Sequence, residues 1–289
     1  MLENEKIPDF ITFPRTFEKY AWYKPIVVFI ITVIFMAILG GIIIFATNLL
    51  FGAGFSKSLL SGGIEGLNSA ASIIFTDLIL FMFVPSLYIA SKIVNDRPFS
   101  SYSSSRGGWN FKLYLKALVI PVILYVILGY IDHVVNGGKG TYQFSILFLI
   151  VLCITIPLQS IAEEYIFRGI LMQTFGSWFK LPVIAIILQA IIFAIAHGYN
   201  SFGFFEMTVN GLMWGFFTWK TAGIEVGSAL HTANNFSVGL FIMLGMQSAT
   251  SSPQLSSVVM IFIFQIIIFI IMYYVGNKTN WFGEIPENL

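Results

Sequence analysis

Two adjacent glutamates, Glu163 and Glu164, interrupt a stretch otherwise apolar enough to lie in a membrane, IAEEYIFRGILMQTFGSWFKLPVIAIILQAIIFAIAH from Ile161 to His197. An unpaired carboxylate in hydrocarbon is costly, so ionisable groups there point to function before packing. On a helix, Glu164 and Arg168 are i,i+4 neighbours with the acid first, the favourable order. That pair neutralises Glu164 and leaves Glu163 about 100° round the helix, facing another group. A turn is signalled over 176–182, where Gly176 can end one helix and Pro182 can begin the next. Lys180 lies 17 residues after Glu163 and 17 before His197. Two arms of roughly 25 Å then bring Glu163 and His197 to one level. A simpler reading keeps only a structural Glu–Arg pair and an unrelated histidine at a helix end.

A second constellation follows in WKTAGIEVGSALHTANNFSVG. His231 and Asn235 are i,i+4 and share a helix face, with Asn234 on the flank. His231 falls about five residues into its expected helix, roughly 8 Å deep. Three helices would converge with Glu163, His197, His231 and Asn235 at one depth, as sites in helix bundles do. Phe193, four residues before His197, packs on the same side. Glu163, His197 and His231 also form a conceivable metal set. Taken alone, His231 and Asn235 fit interhelical hydrogen bonding equally well. Asp77 is a further acid inside an apolar run, either lining the cavity or packing helices. His133 reads as a solvated loop residue and Glu206 as interfacial.

The elements that position these residues are membrane helices. The chain has 57% hydrophobic and 10% charged residues among 289, and several apolar runs exceed the roughly 18 residues that suggest a span. The fold class is all-α: a polytopic membrane protein of about eight transmembrane helices in one bundle around a buried polar site. The expected spans are 25–47, 70–90, 113–131, 144–176, 182–196, 204–219, 226–244 and 257–275. The fourth is one long helix with a bend expected at Pro157, and its inner end protrudes. Residues 1–24 form an interfacial segment, 25–142 hold three helices, 143–245 hold the site, and 246–289 hold the last helix and a tail. A Gly/Ser-rich loop with Lys57 and Glu65 follows the first span. The lone cysteine, Cys153, excludes an intrachain disulfide and reads as packing. A net charge of +1 with no basic run gives no support to nucleic acid as a partner. With eight spans, twelve Lys and Arg fall on the side of the termini and two, Lys57 and Lys139, opposite, with Arg168 buried. Both termini are then expected in the cytoplasm.

Glu163-Glu164-x-x-x-Arg168, Phe193-x-x-x-His197 and His231-x-x-x-Asn235, in that order, resemble the three-motif pattern of the CPBP family. This family comprises CAAX prenyl endopeptidases and bacteriocin-processing enzymes, also called Abi. The resemblance covers about residues 145–245, so 143–245 is the expected catalytic core. It implies an intramembrane endopeptidase in the cell membrane, acting on a peptide or membrane-associated protein, with a bacterial peptide favoured over a prenylated CAAX protein. In that reading Glu163 and His197 activate a water, His231 and Asn235 stabilise the oxyanion, and Arg168 holds Glu164. The cofactor is either none or Zn2+: Glu163, His197 and His231 could ligate zinc, but the HExxH signature of zincins is absent. The rival class is a non-catalytic immunity or scaffold protein that binds a peptide or partner through the same cavity. A transporter is a third reading, without an inverted repeat of hydropathy to favour it.

Overall fold

A computed structural model describes residues 7–60, 70–250 and 252–282. Lys6 and the Glu65 part of the Gly/Ser-rich loop lie outside them. The first helix is α1 (Lys24–Phe51), followed by the short α2 (Phe55–Leu60). Helices α3 (Ala70–Phe81) and α4 (Phe83–Val94) form one arm interrupted at Met82. Pro85 explains the interruption: it has no N–H to bond back, and its ring crowds the carbonyl four residues earlier, where α3 stops. Helix α5 (Phe111–Asn136) begins where the Asn110 side chain accepts from Leu113 N–H and ends at Gly137, whose φ of 66° is left-handed.

The fourth arm runs from α6 (Ile146–Glu164) through a π-helical stretch, Tyr165–Met172, into α7 (Gln173–Phe179). Ser145 caps its start by accepting from Phe148 N–H. Pro157 lies inside α6, and α-helical geometry is lost only from Tyr165, directly after the glutamate pair. The hairpin then returns as α8 (Pro182–His197), and α9 (Ser201–Lys220), α10 (Glu225–Met243) and α11 (Leu255–Thr279) complete the chain. Among the described residues there is no strand, only an isolated bridge between Ser104 and Gly223.

Eight helical arms thus lie within a few residues of the expected spans. Among the described residues five arms are long and apolar enough to cross a membrane, and α8 is apolar but has 16 residues. Arms α9 and α10 fall short because Asn210, Ser228, His231 and Thr232 put buried polar groups into them. The outer surface carries the apolar side chains a soluble protein would hide: Ile34, Phe45 and Leu49 on α1, Ile123 and Ile127 on α5, and Ile263 and Ile270 on α11 are exposed. Cys153 sits on this outer face, not in the packing expected of it.

Hydrogen bonds between loops define the two ends of the bundle. At one end the N-terminal segment reaches α7, with Arg15 donating to the Ser177 carbonyl (2.9 Å) and Trp178 to the Trp22 carbonyl (2.9 Å). The 95–110 loop joins the same end: Ser105 donates to the Pro8 carbonyl (2.6 Å), and Ile224 N–H donates to Ser103 (2.8 Å). Arg106 completes it by donating to the Phe282 carbonyl (3.3 Å). Burial pulls Arg106 below the ordinary guanidinium range, opposed by the charge of Glu225. At the opposite end Ser248 donates to the Lys139 carbonyl (2.8 Å), and His133 Nδ1 lies 3.0 Å from the Met246 carbonyl, so His133 is tied down and not merely solvated. The basic residues of the N-terminal segment, of the 95–110 loop and of the Lys180 and Lys220 turns therefore share one end, and Lys139 occupies the other.

Gly176, expected as a helix terminator, is interior to α7 and serves close approach: a Cβ there would sit 2.6 Å from the Ile11 carbonyl oxygen. Lys180, with φ 57°, makes the actual cap.

Candidate active site

Glu164 and Arg168 are both fully buried, and Arg168 Nη1 donates to Glu164 Oε1 at 2.8 Å. Arg168 Nη2 donates to the Gly211 carbonyl on α9 (3.2 Å), which also accepts from Gln189 on α8 (2.8 Å). Three helices are therefore tied through one glycine carbonyl. Their approach requires the glycine, because a Cβ on Gly211 would meet Ala190 Cα at 2.9 Å. The guanidinium also lies over Phe193 (4.9 Å) and Trp214 (5.5 Å), a desolvated setting in which cation–π attraction is strongest.

His231 enters from α10 and lies between the two glutamates. Its Nδ1 is 2.9 Å from Glu164 Oε1, and its Nε2 is 3.6 Å from Glu163 Oε2. A carboxylate only accepts, so Nδ1 carries the proton of that bond, and Nε2 is the nitrogen that faces Glu163. Trp214 stacks on the imidazole (4.1 Å between centroids, 20° between planes), and Phe193 meets it edge-on (5.9 Å). Gly227, one turn before His231, lets α10 come this close: a Cβ there would lie 2.4 Å from Thr218 Oγ1 and 3.1 Å from Glu164 Oε2.

His197 ends α8 and is half-buried, with Nδ1 2.7 Å from the Phe193 carbonyl. Carbonyls accept, so this ring too is held through Nδ1–H and offers Nε2. Phe193 stands between the two imidazoles, 4.5 Å from that of His197. Among the described residues His197 makes no ion pair with either glutamate; His231, not His197, adjoins Glu163. Asn235 donates to Gln159 Oε1 on α6 (3.0 Å) and accepts from Asn234 (3.1 Å). Glu163, His231, Glu164 and Arg168 thus form one connected cluster. Asn235 flanks it through Gln159, and His197 flanks it through Phe193.

The zinc set does not gather. Among the described residues no three His, Cys, Asp or Glu side chains are grouped to hold a metal ion. Glu163 and His231 adjoin, His197 stands beyond Phe193, and Glu164 already occupies one nitrogen of His231.

Several participants carry no local sequence signal. Gln159 lies one turn before Glu163 on the same face, so helical periodicity could have found it. Trp214 and Gly211 are selected by α8–α9 packing alone. The π-helical stretch widens the turn between Glu164 and α7, as single π turns at functional sites do, and it is held from outside. Buried Arg97 donates to Gln173 Oε1 (2.5 Å) and to the Gly169 carbonyl (3.4 Å). A Cβ on Gly169 would stand 2.5 Å from the Tyr102 carbonyl oxygen, a backbone atom. Gly169→Ala should therefore push the π-helical stretch off the 95–110 loop. The expected loss is about 1–3 kcal/mol, read as a lowered melting temperature in detergent; an unchanged value would contradict the close packing.

The comparisons with known proteins fall on this region. Residues 142–237 match the family model described as type II CAAX prenyl endopeptidase, Rce1-like. An uncharacterized protein of Bacillus subtilis (strain 168), YyaK, is 27% identical over 177 residues, covering 57% of this chain and 59% of that protein. No solved structure matches.

Proposed function

We propose, from the premise that residues 142–237 are of the Rce1-like, type II CAAX prenyl endopeptidase kind, that this multi-pass membrane protein hydrolyses a peptide bond within the bilayer. The observation that carries the reading is the placement of His231 between two carboxylates, Nδ1 at 2.9 Å from Glu164 and Nε2 at 3.6 Å from Glu163. Glu163 Oε2 and His231 Nε2 both accept, and neither bonds the other directly. A water beside the pair that donates one hydrogen to each has its oxygen lone pair free for attack on a carbonyl.

In this reading Glu163 is the general base, taking the proton as the water oxygen adds to the peptide carbon. His231 shares the proton and passes it to the leaving amine. Imidazolium forming on His231 is stabilised by Glu164, which Arg168 holds in place at 2.8 Å. Asn235, at the margin of the cluster, is the amide donor available for the carbonyl oxygen, worth a few kcal/mol when aimed at developing charge, and His197 is an orienting group beside it. Phe193 and Trp214 keep bulk water away, which strengthens every one of these interactions. The substrate proposed is a membrane-associated peptide or protein segment, with a bacterial peptide favoured. Both termini are proposed to be cytoplasmic, from the basic residues gathered at one end.

The test is cleavage by purified chain of two peptide sets, CAAX-ended and unmodified membrane-associated, with and without a chelator. Products from wild type and none from Glu163→Gln are expected. Equal cleavage by both would defeat the assignment.

A further inference from the structure

Asp77 is an intramembrane acid that the reaction above leaves unused. It sits on α3 with 8% exposure, and its Oδ2 is buried without a hydrogen-bond partner. Thr155 of α6 lies beside its carboxylate, and Glu163 is within Coulombic range. Thr155 is itself 6% exposed, and its hydroxyl is also buried without a partner. Glu163 Oε2 is the third such atom. Thr155, Gln159 and Glu163 are spaced four residues apart, so they form one polar stripe along α6, with Asp77 facing one end and His231 the other.

Two unpaired oxygens on one stripe with a third facing it from α3 are a rare arrangement in a packed interior. Buried polar atoms almost always have a partner, and where protein supplies none, ordered water does. The stripe offers water polar neighbours in succession: the Asp77 carboxylate and the Thr155 hydroxyl, the Gln159 amide one turn on, and the Glu163 carboxylate one turn beyond. Asp77 and Thr155 are close enough to interact, yet no hydrogen bond within 3.5 Å reaches the Thr155 hydroxyl or Asp77 Oδ2. Hydrolysis inside a bilayer consumes one water per turnover, and Phe193 and Trp214 wall His231 and Arg168 in this cluster.

We propose that Asp77, Thr155 and Gln159 hold an internal water site that adjoins Glu163 and supplies the water consumed in hydrolysis. Its catalytic part rests on the peptidase reading; its structural part does not. Asp77 acts through the water and is a positioning residue.

The test separates the two parts. The full chain in lipid nanodiscs, carrying Cys153→Ala, is exposed to X-ray-generated hydroxyl radicals, which arise from water wherever it is bound. Oxidation at Thr155→Cys is compared with the lipid-facing Ile154→Cys, whose native side chain is 56% exposed. A rate about tenfold higher at Thr155→Cys is expected, falling when Asp77→Leu is added. The isosteric Thr155→Val supplies a second readout. If water bridges the hydroxyl, its removal lowers the melting temperature; if the hydroxyl is dry and unpaired, its removal raises it. Turnover of Thr155→Val should fall about tenfold with KM within about twofold. Equal oxidation at both positions, or a raised melting temperature, overturns the water site. A wild-type chain that cleaves nothing removes the peptidase reading and leaves the labelling result standing.

Discussion

Glu163→Gln is expected to insert and melt like the wild-type chain while losing about 10² to 10⁴ in kcat/KM, the range for removal of a general base. The two halves of this expectation come from different features. Glu163 makes no hydrogen bond among the described residues, and its Oε2 is buried and unpaired. An amide of the same shape therefore removes a costly buried charge without breaking a short contact, so the melting temperature should hold or rise. Its chemistry cannot be replaced: the amide oxygen is a far weaker base than a carboxylate, and the proton from water has nowhere to go except His231. The measurements are thermal melting in detergent and cleavage kinetics on one peptide. Full turnover in Glu163→Gln would remove Glu163 from the role of base.

What the sequence made legible was whatever depends on one helix. The Glu164–Arg168 pair follows from a four-residue interval, and the structure has it at 2.8 Å. The order and bounds of the helical arms follow from apolar runs and from caps such as Asn110 and Ser145. The neighbour of Glu163 was not legible. The count through the Lys180 turn assumed regular α-helix throughout, whereas Tyr165–Met172 is π-helical and its wider turn changes the facing of everything beyond. Which histidine meets Glu163 is then decided by how closely helices approach. That is set at Gly211 against Ala190 and at Gly227 against Thr218, contacts between helices that no interval in the chain encodes. The same cause misdirected the reading of Gly176, whose lack of a side chain serves Ile11 and not a helix end. Asp77 and Thr155 lie on arms separated by another in sequence, and only the packed bundle shows them to be neighbours.

Glu164→Gln should behave in the opposite way to Glu163→Gln, losing stability first. Glu164 Oε1 takes two short contacts, from Arg168 at 2.8 Å and from His231 at 2.9 Å, and both residues are buried. Without the carboxylate's charge, Arg168 is left with neutral acceptors, the glutamine oxygen and the Gly211 carbonyl at 3.2 Å, and stays charged in a site shielded by Phe193 and Trp214. Breaking a buried pair on one side costs about 3–5 kcal/mol, because the remaining charge is uncompensated. The melting temperature should drop on the order of 10 °C. Adding Arg168→Met to Glu164→Gln removes that lone charge and should restore much of the stability, since neutral buried pairs often match or exceed ionic ones. Turnover should not return with it. A glutamine oxygen can still accept from His231 Nδ1, but it cannot stabilise an imidazolium, so proton transfer through His231 stays impaired in the restored chain. Melting and turnover of the two single variants and the double variant decide the matter. Equal loss of stability in Glu163→Gln and Glu164→Gln, or recovery of turnover along with stability in the double variant, would show that the two glutamates do not divide the work in this way.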